Sequence, residues 1–250
     1  MTERPATVAI VTGASRGIGL AIARRLVDDG ARVCLTARHA EELDAAVASF
    51  PSGTAIGVAG AADDPDARTE TVRRTVSELG PIDALVNNAG INPVYGPLAD
   101  LDLDAARKVF EVNVLGTLAW TQEVVRSGMG ERGGSIVNLS SVTGEVVSPG
   151  IGWYGITKAA VSHLTATLAV ELAPRIRVNA VAPAVVKTRF ARALYEGREE
   201  EVSAAYPLRR LGTPEDVAGA VAFLLSADAA WITGEVLTLD GGLLRAGGTA

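Results

Sequence analysis

The sequence predicts an α/β fold, in which a single domain is built on a doubly wound, mostly parallel sheet of about seven strands with helices on both faces. Short runs rich in Val, Ile, Leu and Ala alternate with longer amphipathic segments along the whole chain. The short runs are continuously apolar, which is typical of strands that are covered on both faces. No linker, low-complexity stretch or internal repeat divides the 250 residues, a length that one sheet of this kind can span.

The strands and helices follow from these two patterns. The predicted strands cover residues 7–11, 32–36, 54–58, 84–87, 135–139, 177–182 and 235–239. The predicted helices cover residues 17–29, 41–49, 67–79, 103–126, 154–172 and 214–226. The last helix begins at Pro214, directly after Thr213. A threonine N-cap followed by a proline in the first turn is typical of a helix start. Right-handed crossovers between parallel strands would place these helices on both faces of the sheet.

Residues 186–211 are less regular than the rest of the chain and are polar in their middle. Long irregular segments are unusual inside a compact domain, and many of them cover a binding site. We therefore expect this segment to form a lid over a substrate.

The composition disfavours several classes of function. A net charge of −6 disfavours nucleic acids and anionic membranes as partners. The one cysteine, Cys34, lies in an apolar run, so an internal disulfide is excluded and a buried thiol is expected. His39 and His163 are the two histidines, too few for a cysteine/histidine zinc site, and no metal is expected. With no apolar targeting or membrane-spanning run, the sequence predicts a cytoplasmic protein.

A glycine-rich turn follows the first predicted strand and opens the first helix. Its three glycines have the spacing GxxxGxG. Glycines there permit a tight turn, close approach of the backbone to a pyrophosphate, and close packing of the helix on the strand. A glycine-rich connection that binds no ligand is the alternative. The turn predicts a Rossmann-type dinucleotide site with contacts from Gly13, Ser15, Arg16, Gly17, Ile18 and Gly19.

The end of the second strand indicates which dinucleotide binds. Sites for NAD place an acid there for the ribose 2′-hydroxyl, whereas this strand is followed by Arg38, with no acid before Glu41. A guanidinium offers the forked donors that a 2′-phosphate needs, and Arg16 in the glycine-rich turn could reach the same phosphate. Two surface arginines without a ligand are the alternative. The pair predicts NADP(H) as the cofactor.

Tyr154 and Lys158 lie one helical turn apart, on one face of a predicted helix. A nearby ammonium favours the phenolate, so we expect the pKa of the tyrosine to move from about 10 toward neutrality. The phenol would donate a proton in carbonyl reduction, and the phenolate would remove one in alcohol oxidation. Such pairs are also common on exposed helices without function. Ser141, which follows a strand at the predicted ligand crevice, favours the catalytic interpretation, and a turn serine is the alternative.

Together these motifs resemble the short-chain dehydrogenase/reductase family over nearly the whole chain. The matching segments are residues 12–19, Asn87-Asn88-Ala89-Gly90, Asn113, Ser141 and the run from Tyr154 to Lys158. The resemblance implies an oxidoreductase that transfers hydride between NADP(H) and a carbonyl or secondary alcohol. It implies a catalytic tetrad in which Asn113 holds a water that bridges to Lys158, Ser141 orients the carbonyl, and Tyr154 is the acid or base. Lys158 would also bind the nicotinamide ribose.

The resemblance also implies cofactor contacts beyond the glycine-rich turn. They come from Arg38, Asn88, Ala89, Gly90, Tyr154, Lys158, Pro183, Val186 and Thr188. Ala184 follows Pro183 where the family often has glycine, and Gly60 takes the place of the acid that meets the adenine amine. Adenine would then be held by backbone or apolar groups.

The substrate is left open between two groups of the family. Residues 60–64, 92–96, 190–194 and 209–212 resemble carbonyl reductases, which favours a hydrophobic ketone, aldehyde or dicarbonyl. Arg132 and Arg175 fall where 3-oxoacyl-carrier-protein reductases keep cations that dock an acyl carrier protein. A non-catalytic NADP-binding sensor is an alternative of another class, but a sensor does not need the whole tetrad.

Apolar and aromatic side chains are expected to line the substrate pocket, although some of them could instead fill core or subunit contacts. They are Val146, Val147, Ile151, Trp153, Phe190, Leu194 and Tyr195. The last strand resembles the edge through which similar proteins form tetramers with 222 symmetry, so a homotetramer is expected.

Overall fold

The computed structural model describes residues 7–247 and has the expected alternation of strands and helices. The strands are β1 Val8–Val11, β2 Arg32–Ala37, β3 Ala55–Ala59, β4 Ala84–Asn87, β5 Gly134–Leu139, β6 Ile176–Pro183 and β7 Val236–Leu239. The helices are α1 Gly17–Asp28, α2 Ala40–Val47, α3 Pro65–Glu78, α4 Leu103–Phe110, α5 Gly116–Val124, α6 Gly130–Arg132, α7 Gly152–Glu171, α8 Glu199–Ala204 and α9 Pro214–Leu225. Over the described residues, none of these helices is long and apolar enough to cross a bilayer.

The strands form one sheet of 7 strands in the order β3-β2-β1-β4-β5-β6-β7. Every neighbouring pair is parallel, so the predicted doubly wound, single-domain fold is confirmed, and within residues 7–247 the sheet has no antiparallel strand. The chain runs outward from β1 to β3, returns to β4 beside β1, and then continues in the opposite direction. That reversal leaves a crevice at the carboxyl edge between β1 and β4, where ligands of such sheets bind.

Both faces of the sheet are buried, which explains the continuously apolar strands. Ala9 and Val11 of β1 belong to the cluster that packs under α1 and α9. Val8 and Ile10 point to the opposite face, where they form a second apolar cluster with Trp120 of α5. Because successive side chains of a strand alternate between faces, β1 must be apolar at every position.

Cys34 is a core residue, as expected. It lies in β2 with no exposed surface. Burial raises the pKa of its thiol to about 11, so the thiol stays protonated at neutral pH and is a poor nucleophile.

The helix expected over residues 103–126 is present but is not uniform. A π-helical turn at Glu111–Leu115 joins α4 to α5, and the residues on both sides of it keep right-handed helical angles. A π turn inserts one residue into a helix, and such turns are frequent at functional sites. Asn113 lies in the middle of this one.

Residues 186–211 leave the sheet after β6 and contain one 3-10 turn and the short helix α8. Val186 pairs in parallel with Gly212, which closes the base of the segment. Tyr206, Leu211 and Leu243 form a small apolar cluster of their own beside it. That this segment moves as a lid stays a prediction.

Arg177 of β6 ties the sheet to the end of α9. Its guanidinium Nη1 donates to the carbonyl oxygens of Leu224 at 2.8 Å and Ile232 at 3.2 Å. Its Nη2 donates to those of Leu225 at 3.4 Å and Ser226 at 3.1 Å. The last carbonyl groups of a helix lack partners within the helix, and one cation satisfies several of them here.

We expect Arg177→Met to lower the free energy of unfolding by about 2–4 kcal/mol, because it leaves several half-buried carbonyl groups without a charged donor. Arg175→Met is the matched control, since Arg175 is exposed and donates only a 3.3 Å bond to the Gly130 carbonyl oxygen among the described contacts. Urea unfolding followed by circular dichroism measures both variants. Equal losses in the two variants would contradict the assignment of this role to Arg177.

Candidate active site

The predicted site residues gather at the carboxyl edge of four neighbouring strands. Gly13 follows β1, Asn88 follows β4, Ser141 follows β5, and Pro183 ends β6. Tyr154 lies in the first turn of α7, which packs against the same edge. The structure therefore brings together residues that are far apart in the sequence.

The glycine-rich turn leaves the amino end of α1 open. Gly13 has φ +64° and Gly17 has φ +57°, a left-handed conformation that other residues rarely adopt. Arg16 is the N-cap residue, makes no side-chain capping bond, and is followed by no acid in the first turn. The first N–H groups of α1 and its positive dipole end are therefore available to an anion.

The spacing around this turn fits a dinucleotide. A Cβ at Gly19 would lie 2.5 Å from Nδ2 of Asn88 and 2.6 Å from the carbonyl oxygen of Gly13, so only glycine allows this packing. A Cβ at Gly17 would project toward Thr188 and end 3.5 Å from its methyl group. A side chain there would narrow the space between the turn and the segment after β6, where Ser15 and Ile18 also lie half-buried. The residues present fit the phosphates of a nicotinamide dinucleotide.

Thr12 and Asn88 hold the turn on the end of β4. Oγ1 of Thr12 accepts bonds of 3.0 Å from the backbone N–H groups of Asn88 and Ala89. The Asn88 amide nitrogen donates to the carbonyl oxygens of Thr12 at 2.7 Å and Gly13 at 3.0 Å. Sequence reasoning placed Thr12 in the glycine-rich motif but assigned it no role, although a hydroxyl residue between an apolar strand and a glycine turn was the available signal.

Two glycines let α7 approach the turn after β5. A Cβ at Gly155 would lie 2.5 Å from the carbonyl oxygen of Thr143. A Cβ at Gly144 would lie 2.8 Å from the backbone nitrogen of Ala159. Real Cβ atoms do not approach backbone atoms so closely. The close contact positions α7, which carries Tyr154, against the strand end that Ser141 follows.

Lys158 is buried beside the end of β5. Its residue exposure is 4%. Its Nζ donates a 2.6 Å bond to the carbonyl oxygen of Leu139 and lies 5.4 Å from the centroid of the Tyr154 ring. Burial lowers the pKa of Lys158 to about 8, because a charged ammonium is poorly solvated there. The ammonium is thus held in place and is close to losing its proton.

The pKa of Tyr154 moves in the direction opposite to the one expected. Burial raises it above its usual range, and a hydrogen bond with Ser141 lowers it by a smaller amount. Lys158 is itself poorly solvated, and its Nζ is bonded to Leu139, so it does not outweigh the burial of the phenol. In this structure Tyr154 is therefore a protonated acid at neutral pH.

Ser141 caps a turn and faces the site as well. Its Oγ accepts bonds from the Thr143 backbone N–H at 3.2 Å and from the Thr143 hydroxyl at 3.0 Å. It donates to the carbonyl oxygen of Pro183 at 3.4 Å. These contacts to two strand ends fix the position of the hydroxyl, so the turn and site interpretations are compatible.

Asn113 ties the π turn to the loop after β4. Its Nδ2 donates to the Ile91 carbonyl oxygen at 3.0 Å and to Oγ1 of Thr157 at 3.1 Å, and its Oδ1 accepts from the Ile91 N–H at 2.8 Å. A Cβ at Gly90 would lie 3.5 Å from both Oδ1 of Asn113 and Nζ of Lys158. Gly90 thus lies between these two groups, and the water assigned to Asn113 stays a prediction.

The two arginines expected at a 2′-phosphate differ in their contacts. Nη1 of Arg16 forms an ion pair of 2.5 Å with Glu42. Arg38 is exposed and forms no ion pair with the described residues, although its charge helps to lower the pKa of Asp63. The main cause of that shift is a hydrogen bond from Lys108.

Gly60 has a steric reason to lack a side chain. A Cβ there would lie 2.2 Å from the Cβ of Ala67 in the first turns of α3. An acid at this position would displace α3 from β3. Replacement of the expected acid by glycine is therefore coupled to the packing of this helix.

The expected pocket side chains do not all face one space. The ring centroids of Tyr154 and Phe190 are 6.1 Å apart, so Phe190 borders the site. The prediction that Trp153 lines the pocket was wrong. Its indole nitrogen donates a 2.9 Å bond to the carbonyl oxygen of Ala106, so the side chain faces α4. The hydroxyl of Tyr195 donates to the carbonyl oxygen of Thr188 at 3.3 Å. Of the others, Val147 is exposed, whereas Val146, Ile151 and Leu194 are half-buried.

Comparisons with known proteins agree with this geometry. A family model described as enoyl-(acyl carrier protein) reductase matches residues 13–244. Dehydrogenase/reductase SDR family member 4 of Pongo abelii is 44% identical over 244 residues, which cover 94% of this chain and 86% of the relative.

Solved structures agree as well. A short-chain type dehydrogenase/reductase from Mycobacterium ulcerans is 30% identical with a TM-score of 0.91, covering 98% of this chain and 92% of that one. A variant of ElxO with NADPH bound is 33% identical with a TM-score of 0.89, covering 96% of this chain and 99% of that one. The chain therefore belongs to the short-chain dehydrogenase/reductase family, whose members are nicotinamide-dependent oxidoreductases acting on CH–OH or carbonyl groups.

Proposed function

We propose that this protein reduces hydrophobic ketones, aldehydes or dicarbonyls with NADPH, and that Tyr154 is the proton donor. The observation that carries the proposal is the placement of the Tyr154 ring 5.4 Å from the buried Nζ of Lys158, at the carboxyl edge of the sheet where Ser141 follows β5 and the amino end of α1 is open. Phe190 near the Tyr154 ring supports an apolar substituent on the substrate.

The chain's own residues have separate roles in this reaction. The bound nicotinamide would supply the hydride. Ser141 would hold the carbonyl oxygen of the substrate with its hydroxyl, and the Tyr154 hydroxyl would give that oxygen its proton. Lys158 would bind the nicotinamide ribose, and Asn113 would keep the loop after β4 against α7. At neutral pH the phenol of Tyr154 carries the proton that it would donate in reduction.

NADP(H) is the proposed cofactor because Arg38 lies just before α2, Arg16 lies in the glycine-rich turn and pairs with Glu42 of α2, and no acid directly follows β2. The relative with NADPH bound supports the same choice. Tighter binding of NADH than of NADPH would contradict it.

Reduction of 3-oxoacyl groups on a carrier protein is the second candidate. Arg132 and Arg175 donate to the carbonyl oxygens of Ile82 and Gly130, before β4 and β5 begin. They therefore lie at the amino edge of the sheet, opposite the edge that carries Tyr154. A carrier protein docked on them would be far from this protomer's site, so we favour a small carbonyl substrate.

We also propose the homotetramer expected from the resemblance. Exposed apolar side chains offer surfaces that subunits could cover: Leu115 in the π turn before α5, Ile156 and Val170 on α7, and Trp231 beyond α9. The mass measured by light scattering tests it, and a monomer would contradict it.

We expect Tyr154→Phe to lower the rate of carbonyl reduction by about 10²–10⁴-fold, because the proton donor is lost. NADPH affinity is expected to stay close to that of the parent protein. NADPH oxidation is measured with aromatic ketones, α-dicarbonyls and an acetoacetyl-carrier-protein analogue under the same conditions. Tyr95→Phe, which removes a phenol hydroxyl from a side chain that is 82% exposed, is the matched control and should retain most of the activity.

Several outcomes would overturn parts of this proposal. Parent-like turnover by Tyr154→Phe would exclude it as the donor. A preference for the carrier-protein analogue would favour the second candidate. Tight NADPH binding without turnover of any carbonyl would favour a sensor.

The pKa of Lys158 gives a pH dependence of stability. Its folded value of about 8 lies below its ordinary value of 10.5, so the folded state releases the proton first as the pH rises. The cost of burying the ammonium is fully present below pH 8 and fades between pH 8 and 10.5. Relative to Lys158→Met, the parent protein should therefore gain about 1–2 kcal/mol of unfolding free energy between pH 7.5 and 9.5. Urea unfolding at both pH values measures this gain, and a constant difference between the two proteins would contradict it.

A further inference from the structure

Glu42 of α2 connects two parts of the chain that border the cofactor site. Its Oε2 lies 2.5 Å from Nη1 of Arg16, in the glycine-rich turn. Its Oε1 lies 3.8 Å from Nη1 of Arg189, in the segment 186–211. One carboxylate therefore lies between two guanidinium groups, one of which is already assigned to the 2′-phosphate.

We propose that Arg189 is a third residue that binds the 2′-phosphate of NADP(H), and that Glu42 competes with this phosphate for Arg16 and Arg189. The inference rests on the proposed preference for NADP(H). Guanidinium groups bind carboxylates and phosphates through the same forked donors, so either anion can satisfy them. NADH lacks the phosphate and would leave Glu42 between the two arginines.

The charges favour this exchange. The side chains are open to solvent, with exposures of 49% for Arg16, 42% for Glu42 and 75% for Arg189. Ion pairs between exposed side chains are weak. A phosphate monoester carries about 1.5 to 2 negative charges at neutral pH and three acceptor oxygens, so it binds two guanidinium groups more strongly than one carboxylate does.

The position of Arg189 links cofactor choice to the substrate side of the site. It follows Thr188, whose methyl group faces Gly17, and it precedes Phe190, whose ring lies 6.1 Å from that of Tyr154. A contact between Arg189 and the phosphate would fix the start of the segment that carries Phe190. Binding of NADP(H) would thus order one wall of the substrate site, whereas binding of NADH would not.

The test compares the dissociation constants of NADPH and NADH by isothermal titration calorimetry, without substrate. For Arg189→Gln we expect NADPH to bind about 3–10-fold more weakly and NADH to be unaffected. For Glu42→Gln we expect NADPH to bind about 3–10-fold more tightly, with a smaller change for NADH. Arg192→Gln is the matched control, because Arg192 lies in the same segment but pairs with Glu196. Arg38→Gln serves as the reference for loss of a phosphate contact.

The outcomes separate this inference from the function on which it rests. If the parent protein does not prefer NADPH, both are overturned. If it does, and Arg38→Gln weakens that preference while Arg189→Gln does not, only the inference is overturned. Weaker NADPH binding by Glu42→Gln would also overturn it, since Glu42 would then support the site instead of competing. Retained NADH binding shows that each variant is folded.

Discussion

The contact between α7 and the turn after β5 is the constraint on which the site depends. Glycine at positions 144 and 155 brings the two backbones together, and the Lys158 side chain then reaches the Leu139 carbonyl oxygen at 2.6 Å. Oγ of Ser140 donates to the carbonyl oxygen of Lys158 at 3.0 Å, which joins the same helix to the same strand end. Tyr154 and Ser141 are held at the same edge because these contacts fix the backbone around them.

The burial that fixes these groups also determines their charge. A protein interior disfavours charged groups, so the phenol of Tyr154 keeps its proton and the ammonium of Lys158 is close to losing its own. Both shifts favour neutral side chains before a ligand contributes its charges. The protonation states of the two side chains thus depend on solvation as much as on the spacing of the two residues.

Much of the fold could be predicted from the sequence, because buried parallel strands are apolar throughout and the glycine-rich turn has a distinct spacing. The residues after the strand ends were also predictable, since parallel strands share one carboxyl edge.

The π turn at Asn113 was not predictable, because one inserted residue barely disturbs an amphipathic pattern. Trp153 was misassigned since neighbouring helical residues point about 100° apart, so it faces α4 while Tyr154 faces the site. The link from Arg16 through Glu42 to Arg189 joins distant segments and left no local signal.

The bonds from Thr12 and Asn88 have a further consequence for affinity. They are all made within the chain, between the turn after β1 and the end of β4. The phosphate-binding backbone therefore needs little ordering when a dinucleotide arrives, and little conformational entropy is lost at that step. We expect most of the ordering on binding to fall on the segment after β6, where affinity and turnover could then be adjusted separately.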